Sequence, residues 1–399
     1  MQHARLRVAF VPLGADWPGG QTLVTNAIRA LHGTWPGQVH IQILGAASSD
    51  TDSARYAGET GADGVLAYAA PAAYSPRRVA SAVLVRLRRQ NLSLAATLAG
   101  AGVQVLIGEG ISWRLGPVAT VGWLQDFHHV HLPALFTADE IARRDRKFRD
   151  TMRLADRLLA FVPVADDARA FAPQHAHKVR PIRPYALVDP SIYARDCAAV
   201  LARYGLPERF VYVPNQFWIH KNHLGLLQAL RILRGRGVRP SVVLTGHRHE
   251  YRDPEHHTKL MRSIAAWRLD DQVHQLGMVP RADVYDLIRQ SLCVVNPSLF
   301  EGWGYSVDEA AAVGKRILAS DIAAHRAQSP PACEFFAPDD PEELAAKLEG
   351  VWQSAVAGPS PELEGAARRR MPARVEALGR TLFSVLNEAI AARQHGAAA

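Results

Sequence analysis

The run FEGWGYSVDEA at residues 300–310 carries the clearest chemical signal in the chain. It sets two carboxylates, Glu301 and Glu309, eight residues apart around a glycine-rich turn. The apolar run at 293–299 predicts a short buried strand before the turn, and residues 307–313 predict a helix after it. Gly302 and Gly304 allow a bound group to approach the backbone, and a helix N-terminus favours anions. The pattern therefore suits a diphosphate with a sugar at one end and a ribose at the other.

The same residues also fit a purely structural pattern. Ser306-Val-Asp-Glu309 has the spacing of a capping box, in which Glu309 closes the backbone at the start of a helix. This run alone leaves both interpretations open.

A second group of polar residues lies in VYVPNQFWIHKNHLGLLQALRIL at 211–233. A predicted strand leads into a turn, and Lys221 stands just before a helix that Asn222 or His223 is expected to cap. Because a helix start prefers anions, a lysine there is unfavourable unless a bound phosphate compensates for it. A solvated lysine is the alternative.

Size and composition predict an ordinary globular protein with two domains. The 399 residues exceed what one hydrophobic core usually organises, and 48% hydrophobic with 21% charged residues is typical. The three cysteines are irregularly spaced, which indicates a reducing compartment and neither a disulfide framework nor a zinc site. No stretch reaches the roughly 18 apolar residues of a membrane span, and the N-terminus lacks the pattern of a signal peptide. We therefore expect a cytoplasmic protein.

The net charge of +8 is concentrated in part in two basic stretches. These are RRVASAVLVRLRR at 77–89 and RRDRKFRDTMR at 143–153. No recognition motif accompanies them, so we expect no nucleic-acid partner. The first mixes arginine with valine and leucine, which suits an anionic membrane surface, although a solvated helix face is the commonest meaning of such a run. Peripheral contact with the inner face of the membrane is thus a hypothesis.

Short apolar runs alternate with helical patterns, which predicts α/β domains built on doubly wound parallel sheets. The proline-marked stretch 180–190 is the expected division between two such domains, and their ligands bind at the carboxyl ends of the strands, in the cleft between them. Expected strands lie at 6–12, 39–44, 65–68, 103–107, 118–123, 157–161, 210–214, 241–245, 274–276, 292–296 and 316–319. Expected helices lie at 22–32, 224–233, 282–290, 307–313 and 373–392.

The second half of the chain resembles the nucleotide-sugar domain of GT-B glycosyltransferases of the retaining family 4 (group 1) type. Three blocks carry the resemblance: NQFWIHKNH at 215–223, the long run from 273 to 321 that contains the two glutamates, and FFAPDDPEELAAKL at 335–348. The resemblance implies two Rossmann-like domains facing a central cleft. Residues 1–186 would bind the acceptor, residues 187–365 would bind the nucleotide sugar, and 366–399 would form a helix packing back on the N-terminal domain, followed by a disordered tail.

The resemblance also implies a role for individual residues. Lys221 would contact the diphosphate of the donor, Glu301 would hold hydroxyls of the transferred sugar, and Glu309 would bind the ribose diol. The remaining donor-binding positions are a phosphate cradle at Gly302, Gly304, Tyr305 and Ser306, and a segment against the base at Gly277, Met278 and Val279. Gln216 stands where the family often has arginine, so Lys221 and the helix N-terminus would have to supply more of the positive charge.

Two motifs in the first half resemble the family less closely. Pro18-Gly19-Gly20 resembles the glycine loop that approaches donor phosphates and acceptor, and an ordinary strand–helix turn is the alternative. In LQDFHHVHLPALF at 124–136, the resemblance implies that His129 contacts the sugar while Asp126 orients the loop. Three histidines within four residues could suggest a metal, but their spacing is not that of a tight site and no Cys or Glu is near. We therefore expect no metal.

The function implied by the resemblance is a retaining hexosyltransferase. It would move a hexose-type sugar from a GDP- or UDP-linked donor to a saccharide or lipid-linked acceptor in polysaccharide or lipopolysaccharide assembly. Lys221 and helix amides would stabilise the leaving diphosphate, so no metal or other cofactor is needed. A nucleotide-sugar epimerase or phosphorylase and a catalytically silent nucleotide-sugar binder remain alternatives. A dehydrogenase is disfavoured because no G-x-G-x-x-G follows the first predicted strand.

Overall fold

The chain folds into two α/β units in a computed structural model that describes residues 5–13, 18–45, 51–68 and 89–398. Unit 1 comprises Met1–Tyr185 with Ala373–Ala399, and unit 2 comprises Ala186–Pro372. The predicted α/β class with parallel sheets is confirmed. The basic stretch at 77–89 lies outside the described residues except for Arg89.

Unit 1 is built on a parallel sheet with the strand order β3-β2-β1-β4-β5-β6-β7. Its strands are β1 Leu6–Phe10, β2 Val39–Gly45, β3 Gly64–Ala67, β4 Val105–Gly108, β5 Ala119–Leu124, β6 Arg157–Phe161 and β7 Val179–Ile182. Its described helices are α1 Pro18–Thr34, α2 Thr51–Thr60, α3 Leu92–Gly100, α4 His128–His131, α5 Ala138–Leu154 and α6 Val162–Phe171. The central strands β4 and β5 are buried along their whole length, as expected of a parallel sheet covered on both faces.

Unit 2 is built on a second parallel sheet with the strand order β10-β9-β8-β11-β12-β13. Its strands are β8 Val211–Pro214, β9 Val242–Thr245, β10 Val273–Gly277, β11 Val294–Asn296, β12 Ile317–Ser320 and β13 Cys333–Phe336. Its helices are α7 Ala199–Tyr204, α8 His223–Gly235, α9 His256–Ala266, α10 Arg281–Gln290, α11 Tyr305–Ala312, α12 Ala323–Gln328 and α13 Pro341–Ser354. A last helix, α14 Pro361–Ala398, begins in unit 2 and ends in unit 1.

Each face of the second sheet carries its own apolar layer. Leucines of α8 and α13, including Leu230 and Leu348, pack with β8, β9 and β11 on one face. Residues of α10 and α11, including Leu287 and Val307, cover the other face. Every residue from Ser306 to Ala312 is buried, so α11 is enclosed by its neighbours and its position is set by packing.

Among the elements that differ from the sequence expectations are α1, β7 and α14. Helix α1 begins at Pro18 instead of after Gly20, because proline has the backbone angle required at a first helical position. Strand β7 was not predicted, and Pro181 within it is tolerated because β7 lies at the edge of its sheet. Helix α14 starts at Pro361, 12 residues before the expected start at Ala373, and continues through Pro372.

A glycine turn ends α11. Gly314 has φ of +70°, and the Gly314 and Lys315 amides donate to Ala311 O (3.3 Å) and Ala310 O (2.8 Å), which is a Schellman motif. A Cβ added to Gly314 would lie 2.5 Å from the Glu364 backbone nitrogen at the start of α14. The turn therefore needs glycine both for its backbone angle and for the close approach of α14.

We predict that Gly314→Ala destabilises the protein more than Gly237→Ala. Gly237 ends α8 in the same motif with φ of +82°, but open space surrounds its Cβ position. Gly237→Ala should therefore cost only the left-handed backbone penalty of about 1 kcal/mol, whereas Gly314→Ala should cost at least about 2 kcal/mol because backbone atoms must also move. Urea unfolding of both variants measures the difference, and equal losses would contradict the packing argument.

Candidate active site

The candidate site lies at the carboxyl ends of β8, β11 and β12, which are neighbours in the second sheet. The strand order reverses between β8 and β11, so the loops after these two strands leave in opposite directions and open a crevice. Asn215 and Gln216 follow β8, Glu301 belongs to the turn after β11, and Ser320 ends β12. Ligands of open parallel sheets bind at such a point.

Lys221 and Glu301 form a buried ion pair in this crevice. Lys221 Nζ lies 2.5 Å from Glu301 Oε1, and the two side chains are only 11% and 8% exposed. Ser298 Oγ donates to the same carboxylate oxygen at 2.7 Å. Burial by itself raises the pKa of Glu301, but the Lys221 ammonium and the hydrogen bonds outweigh it, so the pKa lies below its ordinary value. The carboxylate is therefore ionised in the ligand-free site.

A chain of buried hydrogen bonds connects this ion pair to the strands. Asn296, the last residue of β11, accepts from the Ser298 amide at 3.1 Å through Oδ1 and donates to Ser306 Oγ at 2.9 Å through Nδ2. Ser306 Oγ in turn donates to Asn215 Oδ1 after β8 at 3.1 Å. The ends of both strands, the glutamate turn and the start of α11 are thus fixed to one another.

Gly304 is the N-cap of α11 and has φ of +86°. A Cβ at this position would lie 3.2 Å from His325 Nε2 and 3.5 Å from Glu301 Cγ, so a side chain would crowd the site. No side chain caps the helix. The capping-box interpretation is therefore wrong: Ser306 lies inside the helix.

Glu309 has a different partner from the one that a capping box would give it. Its buried carboxylate accepts a hydrogen bond from Arg281, the first residue of α10. Glu301 pairs with Lys221 from the turn after β8, and Glu309 pairs with Arg281 from α10. Each glutamate thus has a cation partner from another element of unit 2. The sequence analysis did not identify Arg281, because its spacing from Glu309 has no local signal.

The turn that carries Lys221 is held by a second buried ion pair that sequence reasoning missed. Glu250 accepts from the Ile219 amide at 3.0 Å and from Arg252 Nε and Nη2 at 2.8 and 2.7 Å. Asn222 adopts a left-handed conformation and caps α8 by accepting from the Gly225 amide at 3.2 Å, as expected. The backbone on both sides of Lys221 is therefore fixed.

Gln216 has a structural contact in the ligand-free site. Its Oε1 accepts from the His247 amide at 2.5 Å, and the Phe217 amide donates to His247 O at 3.0 Å. Gly246 has φ of +140°, and a Cβ there would lie 2.8 Å from Gln216 Cα. The loop after β9 is thus docked directly against the turn after β8.

The segment predicted to contact the base lies at the end of β10, next to Arg281. Gly277 ends the strand with φ of +70°, Met278 is 56% exposed, and Val279 is partly buried. Gly302 and Tyr305 are half-buried beside the glutamate turn. All predicted donor-binding residues of the second half therefore belong to unit 2, while Gly19 and Gly20 do not.

The predicted site residues of unit 1 form a separate group. Gly19 and Gly20 lie in the first turn of α1 and not in a loop. The ring of His129 is completely buried, packs against Phe127 and Phe148, and bonds to Asp145 Oδ1 at 3.0 Å. In this position it cannot contact a sugar without moving, so its proposed role stays a prediction.

Asp126 orients its own loop. Its Oδ1 accepts from the His128 amide at 3.0 Å at the start of α4 and lies 3.5 Å from Arg144 Nη1. His131 forms a hydrogen bond with Asp167 at 2.8 Å, so its partner differs from Asp145, the partner of His129. Within the described ranges, no three His, Cys, Asp or Glu side chains are grouped as metal ligands.

His223 at the start of α8 is buried and uncharged. Its ring stacks on Phe217 with centroids 4.6 Å apart, and neither ring nitrogen has a hydrogen-bond partner in the described part of the chain. Burial, together with nearby His256 and Lys221, lowers its pKa to about 3. His223 therefore adds no positive charge beside Lys221 near neutral pH.

We predict that His223 makes the fold sensitive to mild acid. Its pKa is about 3 in the folded protein and about 6.5 in an unfolded chain, so the unfolded state takes up the proton as pH falls below 6.5. Protonation of His223 in the unfolded state should lower the free energy of unfolding by about 2 kcal/mol between pH 7 and pH 5. His223→Phe keeps the stacking and should lose less stability over that range in urea unfolding. If the free energy of unfolding falls equally in wild type and His223→Phe between pH 7 and pH 5, His223 is not the group that makes the fold sensitive to acid.

The comparisons with known proteins agree with this geometry. Residues 203–357 match the family of glycosyl transferases group 1. The whole chain is similar to the crystal structure of Anabaena HepE in complex with UDP and glucose, with a TM-score of 0.60, 14% identity and 98% of each chain covered. It is also similar to sucrose-phosphate synthase from Thermosynechococcus elongatus, with a TM-score of 0.61, 16% identity and 98% of each chain covered.

A third similar structure is WaaG, a glycosyltransferase involved in lipopolysaccharide biosynthesis, with a TM-score of 0.55 and 14% identity over 96% of this chain and 98% of that chain. A comparison with curated protein sequences gives no match. The fold of the chain is thus that of the GT-B glycosyltransferases, and the part of unit 2 at residues 203–357 matches the group 1 family.

Proposed function

From the group 1 glycosyl transferase domain at residues 203–357, we infer that the chain is a retaining, metal-independent glycosyltransferase of the family 4 type. It moves a hexose-type sugar from a nucleotide diphosphate sugar to a saccharide or lipid-linked acceptor. The observation that carries this proposal is the Lys221–Glu301 pair, buried at the point of unit 2 where the strand order reverses.

The pair provides opposite charges for opposite ends of a sugar diphosphate. A phosphate oxygen competes with Glu301 for the Lys221 ammonium, and this competition frees the carboxylate to accept from sugar hydroxyls. The N-cap of α11 has no side chain, so the partial positive charge at the helix start is open to the diphosphate. These groups stabilise the negative charge that grows on the leaving group.

Retention follows if the leaving group itself serves as the base. The bond from the anomeric carbon to the phosphate oxygen breaks, the acceptor oxygen bonds to that carbon on the same face, and the acceptor proton passes to the leaving phosphate oxygen. No protein base and no metal are required in this scheme. Asp126 and His129 then have positioning roles in unit 1.

A UDP-linked donor is the first to test. Solved structures of the similar protein HepE hold UDP and UDP-glucose. A GDP-linked donor is the second choice, because nothing in Glu301 or in residues 277–279 separates the two bases by side-chain type. WaaG supports an acceptor in lipopolysaccharide assembly.

The activity test uses Lys221→Met, Glu301→Gln and the double variant. Each should lower transfer from the nucleotide sugar at least about 100-fold, because charge stabilisation of the leaving group or sugar orientation is lost. Lys221→Met alone also leaves a buried carboxylate without its cation, at a cost of about 3 kcal/mol, whereas the double variant should be more stable. Radiolabelled transfer and urea unfolding measure the two effects.

Lys259→Met is the matched control, because Lys259 forms an exposed ion pair with Asp253 elsewhere in unit 2. Full activity in the Lys221 and Glu301 variants would refute the proposal. Interconversion of the donor without acceptor would indicate an epimerase, and release of a sugar phosphate with free phosphate would indicate a phosphorylase. Binding of nucleotide sugars without turnover would indicate a silent binder. NMR of the product then tests retention of anomeric configuration.

Membrane contact is proposed only for the basic stretch at 77–89. In the other basic stretch, on α5, most cations already have carboxylate partners: Arg143 with Glu140, Arg144 with Asp126, Lys147 with Glu109, Arg149 with Asp145 and Arg153 with Asp150. Such a helix attracts an anionic surface weakly. Among the described helices, none has the length and apolar character needed to cross a membrane.

Vesicle sedimentation tests whether residues 77–89, and not the basic stretch on α5, bind an anionic membrane. Vesicles with phosphatidylglycerol should bind the protein better than phosphatidylcholine vesicles, and glutamines in place of the arginines at 77–89 should abolish the difference because the attraction is electrostatic. Glutamines at Arg143, Arg146 and Arg149 should leave binding within about twofold of wild type. Equal binding to both kinds of vesicle would remove the membrane hypothesis.

A further inference from the structure

Glu309 and Arg281 form the second ion pair of the site, and the two residues differ in exposure. The Glu309 side chain is only 5% exposed, whereas that of Arg281 is 47% exposed. The carboxylate is thus buried under a cation that itself faces solvent. A ligand that approaches Glu309 from solvent must come into contact with Arg281.

Arg281 is held in place by its own helix. Its Nη2 atom bonds to Tyr285 OH at 3.1 Å, and its guanidinium lies 4.9 Å from the centre of the Tyr285 ring. The same Nη2 atom donates to Glu309 Oε1 on α11. Two contacts on α10 and one on α11 therefore fix the plane of the guanidinium.

The pair leaves hydrogen-bonding capacity for a ligand. Over the described residues, no protein group donates to Glu309 Oε2, and no acceptor meets Arg281 Nε or Nη1. A carboxylate oxygen accepts hydroxyl donors, and the remaining guanidinium N–H groups donate to oxygen. The segment predicted to contact the base, Met278 and Val279, precedes Arg281 by three and two residues.

We propose that Arg281 is a positioning residue for the nucleoside end of the donor: it holds the Glu309 carboxylate so that Oε2 accepts from the ribose hydroxyls, and it thereby selects ribonucleotides over 2′-deoxyribonucleotides. This inference rests on the proposed function and on the ribose-binding role that the family resemblance implies for Glu309.

The physical reason is the cost of a buried charge. Without Arg281, Glu309 has no cation partner in the described part of unit 2, so the buried carboxylate loses the contact that orients it and turns toward water. Its Oε2 atom is then no longer held for the ribose hydroxyls. Lysine at 281 would restore the charge but not the planar contact with Tyr285.

The test compares binding of UDP and 2′-deoxyUDP, and of GDP and 2′-deoxyGDP, by calorimetry. The proteins are wild type, Arg281→Ala, Arg281→Lys, Glu309→Gln and the double variant Arg281→Ala/Glu309→Gln. Arg236→Ala is the matched control, because Arg236 pairs with Glu342 and Glu349 on the surface of the same unit. Thermal unfolding of each variant confirms that it is folded.

Wild type should bind the preferred ribonucleotide about tenfold more tightly than its deoxy form, as expected for one hydrogen bond to a charged group. Arg281→Ala should weaken ribonucleotide binding about tenfold and deoxynucleotide binding less than about twofold. Glu309→Gln should give the same pattern. The double variant should lose no more ribonucleotide affinity than either single variant, and Arg281→Lys should recover part of the preference for the ribonucleotide. Arg236→Ala should match wild type.

Equal losses for ribo- and deoxyribonucleotides in Arg281→Ala, or no loss at all, would overturn the inference while leaving the proposed function intact. Additive losses in the double variant would overturn it as well, since Arg281 would then act independently of Glu309. If Arg281→Ala does not fold, the test relies on Arg281→Lys. A preference for ribonucleotides equal to that of wild type in Arg281→Lys would then contradict the role of the planar contact with Tyr285. Wild-type protein that binds none of the four nucleotides would refute the proposed function itself.

Discussion

The candidate site depends on one constraint, which is that a charge buried in a protein must have a partner. Lys221 and Glu301 satisfy it for each other, although they lie 80 residues apart in the sequence. An ion pair of this kind stabilises only when its geometry is good and the remaining lone pairs are satisfied. The chain of hydrogen bonds from Ser298 through Asn296 to Asn215 meets that condition. The position of the glutamate turn is therefore set by electrostatics as well as by packing.

The sheet makes such a distant pair possible. Strands β8 and β11 are neighbours because the strand order reverses between them, so turns from distant parts of the sequence meet at one edge. Two helices then begin at this edge. One of them, α11, is buried along its length, and the other, α8, is capped by Asn222 directly after Lys221. The Glu250–Arg252 pair fixes the approach to Lys221, so the lysine has little freedom except at its ammonium end.

Sequence patterns were sufficient for the class of fold, and they singled out Lys221 and Glu301, which the structure brings together. Buried strands appear in a sequence as short apolar runs and amphipathic helices as a period of about 3.6 residues, and the two glutamates lie on one turn and on the helix that follows it. The cations opposite them were predictable only in part. Lys221 precedes a helix and draws attention, whereas Arg281 and Glu250 gain their partners from the way in which separate loops and helices pack. His129 shows a second limit of sequence patterns, because a polar motif says nothing about the phenylalanines that enclose it.

The two ion pairs use different cations, and the proposed function gives a reason for the difference. A lysine ammonium is a compact point charge that can turn from a carboxylate to a phosphate without losing a required geometry. A guanidinium is planar, and Arg281 is fixed by Tyr285 as well as by Glu309. Donor binding adds negative charge at the diphosphate and none at the ribose. A transferable cation is therefore useful only beside Glu301, where the diphosphate enters, and a fixed one is better suited to Glu309, whose carboxylate must keep one orientation toward the ribose.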